Sequence, residues 1–98
     1  MARILVVDDE KSIRLTLREF LKHAGHDVEI AADADEATEL LQESSFDVLI
    51  TDLILPRVTG VELLKRVRSL ELPVQVIMMT GEPTVETATE AVRSGAFD

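Results

Sequence analysis

Asp8 and Asp9 stand side by side directly behind the apolar run Ile4 to Val7, and Asp52 follows Thr51 behind the run Phe46 to Ile50. Thr80 and Gly81 come directly after a third run, Val74 to Met79. If these runs are parallel strands of one open sheet, the residues that follow them share the rim at the strands' carboxyl ends, where such sheets bind ligands. Three carboxylates and a hydroxyl then meet there, although 43 residues separate Asp9 from Asp52 and 28 separate Asp52 from Thr80. Any one of these residues alone reads as a turn or cap residue, and the combination is what points to chemistry. Two unit charges about 4 Å apart repel by roughly 4 kcal/mol at an effective dielectric of about 20, so clustered acids call for a cation. A hard divalent ion such as Mg²⁺ suits them, since it takes one or two carboxylates and keeps water on its remaining positions. With the charge neutralised, the Asp52 carboxylate can attack phosphorus and form an acyl phosphate, and Thr80 can donate to the transferred group.

The elements that must position these residues follow from hydrophobic spacing. Ile4 to Val7, Val28 to Ala31, Phe46 to Ile50 and Val74 to Met79 read as strands, rich in Val, Ile or Phe. The first helix carries Ile13, Leu17, Phe20, Leu21 and Ala24 on one face, with Ser12 as its expected N-cap and Gly25 at its C-terminal end. A second helix is expected over Asp35 to Glu43, burying Ala37, Leu40 and Leu41, and a third over about Gly60 to Ser69, with Val61, Leu64 and Val67 inward. A fourth runs from Thr84 to Ser94, between Pro83 and Gly95. Strand and helix alternate, so the class is α/β, a doubly wound parallel sheet with right-handed crossovers. The wholly apolar first strand belongs in the middle, and the alternating Val28-Glu29-Ile30 suits an edge. Pro56 stiffens the loop after Asp52, Gly60 admits a left-handed turn before the third helix, and Glu36, Glu39 and Glu43 are solvated helix-face residues.

Composition narrows the function. Ten Lys and Arg against nineteen Asp and Glu give a net charge of −9, which repels nucleic-acid phosphates and anionic lipid, so direct nucleic-acid binding is not expected. With no cysteine, disulfides, thiolate metal sites and thiol nucleophiles are excluded. No run is long enough to span a membrane or serve as a signal peptide, and the expected location is the cytoplasm. His23 and His26 flank Gly25 with no third ligand nearby and are read as structural.

Val-Val-Asp-Asp-Glu at 6 to 10, Thr-Asp-Leu-Ile-Leu-Pro at 51 to 56 with Gly60, and Met-Met-Thr-Gly at 78 to 81 together resemble the signatures of the response-regulator receiver domain of two-component signalling. The resemblance covers the whole chain. It implies a flavodoxin-like sheet in the order 2-1-3-4, with Asp52 as phosphoacceptor for a sensor histidine kinase and Mg²⁺ held by Asp8, Asp9, Asp52 and the main-chain carbonyl of Ile54. It implies also that Thr80 is a switch hydroxyl and that the face around the fourth helix responds. The stretch Ala91 to Asp98 further resembles receivers fused to enhancer-binding transcription activators. Receivers carry a fifth strand, with an aromatic residue and a phosphate-contacting Lys, and a fifth helix. Neither follows here, so residues 1–98 are expected to be an incomplete receiver whose switching is impaired, and neither Lys11 nor Lys65 takes the lysine role. An apolar strand over Val74 to Met79 with no partner beyond it leads to the expectation of self-association there. The competing readings are a structural or dimerisation fragment without phosphotransfer, and an aspartate-nucleophile phosphatase of the haloacid dehalogenase-like kind. The latter needs a second acid two residues after the nucleophile, where this chain has Ile54.

Overall fold

β1 (Arg3–Val7) is hydrogen-bonded to a neighbour on each side, which explains why four of its five residues are buried. In the computed structural model, which describes residues 1–79, the chain continues through α1 (Lys11–His23), β2 (Asp27–Ala31), α2 (Ala34–Glu43), β3 (Val48–Asp52), α3 (Gly60–Ser69) and β4 (Gln75–Met79). The sheet is parallel in the order β2-β1-β3-β4, the order that the receiver resemblance implies, and the strand patterns place β1 inside and the alternating β2 at one edge as observed. Thr80 and the helix expected over Thr84 to Ser94 lie outside the described residues.

Side chains alternate across the sheet and build a core on each face. On one, Leu5, Val7, Leu49 and Val76 pack with Ala37 and Leu41 of α2 and with Leu63, Leu64 and Val67 of α3. On the other, Ile4, Val6 and Val28 pack under Leu17 and Leu21 of α1. Burial of a Leu or Val side chain is worth roughly 1.5–3 kcal/mol, so these layers hold the strand ends rigidly enough to carry a site.

Several details differ from the sequence reading, among them the exposure of Ile13 and Ala24 on the expected buried face of α1. Phe20 is 71% exposed and does not join the core with Leu17 and Leu21. At about 100° per residue it lies roughly 80° from the midpoint of those two, beyond the narrow stripe that α1 lays on β1 and β2. Ser12 is not the cap of α1; the cap is Glu10, two residues earlier, and its side chain makes no capping bond. The third strand begins and ends two residues later than its apolar run, at Val48–Asp52. Phe46 is instead buried just ahead of it, beneath the Arg3 guanidinium, 4.8 Å from the ring centroid. Finally, α2 begins at Ala34, and its N-cap Asp33 accepts the Glu36 N–H at 2.8 Å through Oδ1, while Glu36 Oε2 accepts the Ala32 N–H at 3.4 Å. Glu36 thus has a capping role beyond simple solvation.

Gly25 ends α1 with φ of +93°, the left-handed conformation expected of it. His26 is structural, its Nδ1 accepting the Ala2 N–H at 3.0 Å beside β1.

Candidate functional site: the acidic rim

Parallel pairing carries Val7 opposite Thr51, so the residue after β1 and the last residue of β3 emerge at the same level of the sheet. Asp8 follows there directly, and Asp52 is the final residue of β3, paired with Met79. Asp9 completes the group. One carboxylate oxygen from each of Asp8, Asp9 and Asp52 lies within 4.8 Å of the others, so all three acids singled out in the sequence are together. They differ in setting: Asp8 is buried, Asp52 half-buried and Asp9 exposed.

Asp8 is held at three atoms. Its N–H donates to Ala31 O at 3.2 Å, Oδ1 accepts the Glu10 N–H at 2.8 Å, and its carbonyl accepts from Arg14 Nη1 at 2.7 Å. Burial pushes its carboxyl pKa above the ordinary value; the Glu10 N–H opposes this, and the negative charges of Asp52, Asp9 and Glu10 add to the rise. The site therefore resists holding all its charge unaided, which is the electrostatic condition that a bound cation relieves.

Asp52 is positioned by backbone. Its Oδ1 accepts the Ile54 N–H at 3.1 Å, and its carbonyl accepts the hydroxyl of the fully buried Thr51 at 3.1 Å. Ile54 itself is 58% exposed, an apolar side chain next to the Asp52 carboxylate. The loop then folds back through buried Leu53 and Leu55, and Gly60 N–H donates to Leu53 O at 3.0 Å. Gly60 does not adopt a left-handed turn. Gly25 is the positive-φ glycine among the described residues, and Gly60 is needed because a Cβ there would overlap the Asp52 carbonyl oxygen. Between them, Arg57 has φ of +65° inside a three-residue turn closed by Val58 N–H to Pro56 O at 2.7 Å. Its guanidinium reaches Asp33 Oδ2 at 3.5 Å.

Two contributors were not legible as such. Thr51 reads as the polar end of a strand, and Arg14 reads as a solvated helix residue, since nothing in its spacing marks a side chain that turns back to the Asp8 carbonyl.

Residues 4–98 match the response regulator receiver domain family. The chain belongs to that family. As a receiver domain it is similar to Regulatory protein AtoC of Escherichia coli (strain K12), 40% identical over 96 residues, which are 98% of this chain and 21% of that protein. Against the DNA-binding transcriptional regulator NtrC of Azospirillum brasilense it is 32% identical over 97 residues, 99% of this chain and 20% of that protein. The receiver domain thus spans about a fifth of the length of these two curated relatives. Among solved structures it superimposes on the chemotaxis protein CheY4 of Vibrio cholerae with a TM-score of 0.93 at 40% identity, covering 98% of this chain and 82% of that one. On NtrX of Brucella abortus the TM-score is 0.90 at 35% identity, covering 99% of this chain and 22% of that one. The α/β fold with strand order 2-1-3-4 is that of CheY-like proteins, and the domain belongs to signal transduction by two-component response regulators. Among the described residues, no helix is long and apolar enough to cross a membrane.

Proposed function

We infer that this receiver domain takes a phosphoryl group from the phosphohistidine of a sensor histidine kinase onto Asp52. An oxygen of the Asp52 carboxylate attacks phosphorus while the phosphorus–nitrogen bond breaks, its electron pair returning to the imidazole nitrogen, and the ring takes one proton from water, leaving neutral histidine and an aspartyl phosphate. The observation that carries this reading is the convergence of Asp8, Asp9 and Asp52 at the carboxyl end of the sheet, with Asp8 buried among like charges. The donor set fits Mg²⁺, a hard cation that favours oxygen ligands. Asp8, Asp9, Asp52 and the carbonyl of Ile54 would hold it, and it would neutralise charge on the acids and the incoming phosphate. The chain's own part is to keep the Asp52 carboxylate oriented through the Ile54 N–H and to fix its backbone through Thr51 and the β1 and β4 pairings. Thr80, directly after β4 in sequence, is proposed as the hydroxyl that donates to the phosphoryl group.

The apolar side chain at Ile54, where a haloacid dehalogenase-like phosphatase would carry its second acid, supports acceptance without enzymatic turnover. NtrC is a DNA-binding transcriptional regulator of which this chain matches a fifth. That supports a place as the regulatory unit of a longer transcription regulator with DNA contact made outside this domain, and a cytoplasmic location is proposed with it. Contact with a second copy along β4 is also proposed. Its support is the position of β4 at one end of the described sheet order, with Ile77, Met78 and Met79 half-buried.

Phosphorylation by a small acyl-phosphate donor tests the central step. We expect a hydroxylamine-labile adduct by mass spectrometry, dependent on Mg²⁺ and lost in Asp52→Ala. An adduct that persists in Asp52→Ala would refute Asp52 as acceptor.

A further inference from the structure

The acids differ in how they are held. Asp8 is tied at its amide, carbonyl and carboxylate, and Asp52 sits in a strand paired on both sides. Asp9 is exposed, and its side chain makes no hydrogen bond or ion pair among the described residues. Its direction is therefore set by the backbone that delivers it. The peptide linking Asp8 to Asp9 is planar and trans, so fixing the Asp8 carbonyl also fixes where the Asp9 N–H and Cα depart. The group that fixes that carbonyl is the guanidinium of Arg14, at 2.7 Å and half-buried, a charge-assisted bond at the short end of its range. Arg14 is in turn seated in the first turn of α1, its own N–H donating to Glu10 O at 3.1 Å. The three-residue connection from β1 to α1 is thus clamped from the helix side.

We propose that Arg14 is a positioning residue for the cation site: it holds the Asp8–Asp9 peptide so that the otherwise untethered Asp9 carboxylate faces those of Asp8 and Asp52. The inference rests on the proposed Mg²⁺ site and assigns this helix residue a part in it. It makes a prediction whose sign is opposite to that of simple electrostatics. A guanidinium beside a cation site repels the cation, so its removal should, on charge alone, tighten binding. If Arg14 positions Asp9, its removal loosens binding, since partners that orient metal ligands are typically worth about tenfold or more in affinity.

The test is Mg²⁺ titration of the full chain by calorimetry, with Arg14→Met and Arg14→Lys beside the parent and folding checked by circular dichroism. Arg14→Met keeps the aliphatic stem and should weaken Mg²⁺ binding about tenfold. Arg14→Lys keeps a cationic donor without the planar fork and should fall between. The readout that needs no metal is amide hydrogen exchange in magnesium-free solution at Glu10, whose N–H donates to Asp8 Oδ1 within the same connection, expected to quicken in Arg14→Met. A folded Arg14→Met that binds Mg²⁺ as tightly as the parent, or more tightly, overturns the proposal. If Arg14→Met does not fold, Arg14→Lys decides by the same criterion. A parent that binds no Mg²⁺ refutes the proposed cation site instead, and unchanged Glu10 exchange would then independently refute the positioning role.

Discussion

Replacing Gly60 by alanine sets two physical effects against each other. Gly60 is the first residue of α3 and lies outside the positive-φ region, so helix propensity alone predicts a gain of up to about 1 kcal/mol from the less flexible unfolded chain. Against this, the added Cβ would overlap the Asp52 carbonyl oxygen and lie 3.0 Å from both the Asp52 carbonyl carbon and the Leu53 Cα. All three atoms are backbone and none can rotate away, so α3 must shift off the end of β3. Overpacking of this kind costs typically about 1–3 kcal/mol, and we expect a net loss near the upper end, about 2–3 kcal/mol. For a domain of this size that lowers the melting temperature by roughly 10–20 °C. Thermal and urea unfolding followed by far-ultraviolet circular dichroism measure it, the chain having no Trp. Gly25→Ala is the control: with φ of +93° and nothing within 4 Å of its would-be Cβ, it should lose only the left-handed backbone cost. That cost is about 1–2 kcal/mol. A Gly60→Ala chain as stable as the parent, or more so, would refute the steric argument and with it the tight seating of α3 against β3.

Asp8→Asn should stabilise the metal-free chain at neutral pH, because it removes a buried charge while the amide oxygen still accepts the Glu10 N–H. The folded-state pKa of Asp8 is raised, so its contribution to stability is fully present below the ordinary carboxylate pKa and is lost as pH rises through the folded value. The advantage of Asn over Asp should therefore shrink as pH falls toward that range; an advantage that grows in acid would contradict the assignment. Asp33→Ala should cost about 1 kcal/mol through the lost cap of α2, whereas Asp33→Asn, which keeps the cap, should stay within about 0.5 kcal/mol of the parent by urea unfolding. Equal losses in both would mean that the Arg57 ion pair, not the cap, holds that end of the helix.

The places of β1 and β2 were readable because they rest on which faces are buried: β1 is apolar at consecutive positions and central, and β2 alternates and lies at the edge, whereas the full order came from the resemblance. The three acids were readable for a related reason, since a parallel sheet puts the ends of its strands on one rim whatever the intervening sequence does. Failures occurred where packing overrides a local rule. Phe20 satisfies helical spacing yet lies off the stripe that α1 buries, and Ser12 is a favourable cap type placed one residue inside the helix. Gly60 was recognised as structural for the wrong cause, because a close approach between α3 and β3 is a tertiary contact that no local pattern encodes. Arg14 was missed for the same reason: one cationic side chain on a helix spells the same whether it meets water or a carbonyl six residues back.

The loop from Asp52 to Gly60 is stiff at its feet and balanced at its crest. At the feet, Leu53 and Leu55 are buried and the Gly60 N–H closes on Leu53 O. At the crest, Arg57 occupies a left-handed conformation that costs a non-glycine residue about 1–2 kcal/mol. Its partner there is an ion pair with Asp33 whose arginine is 75% exposed. Such exposed pairs contribute about 0–1 kcal/mol, so the contact does not outweigh the backbone cost. The crest is thus held by its anchored ends more than by its own contact. Mechanically, the loop resembles an arch whose span transmits little load: the crest can rearrange while Asp52 at its foot keeps its place.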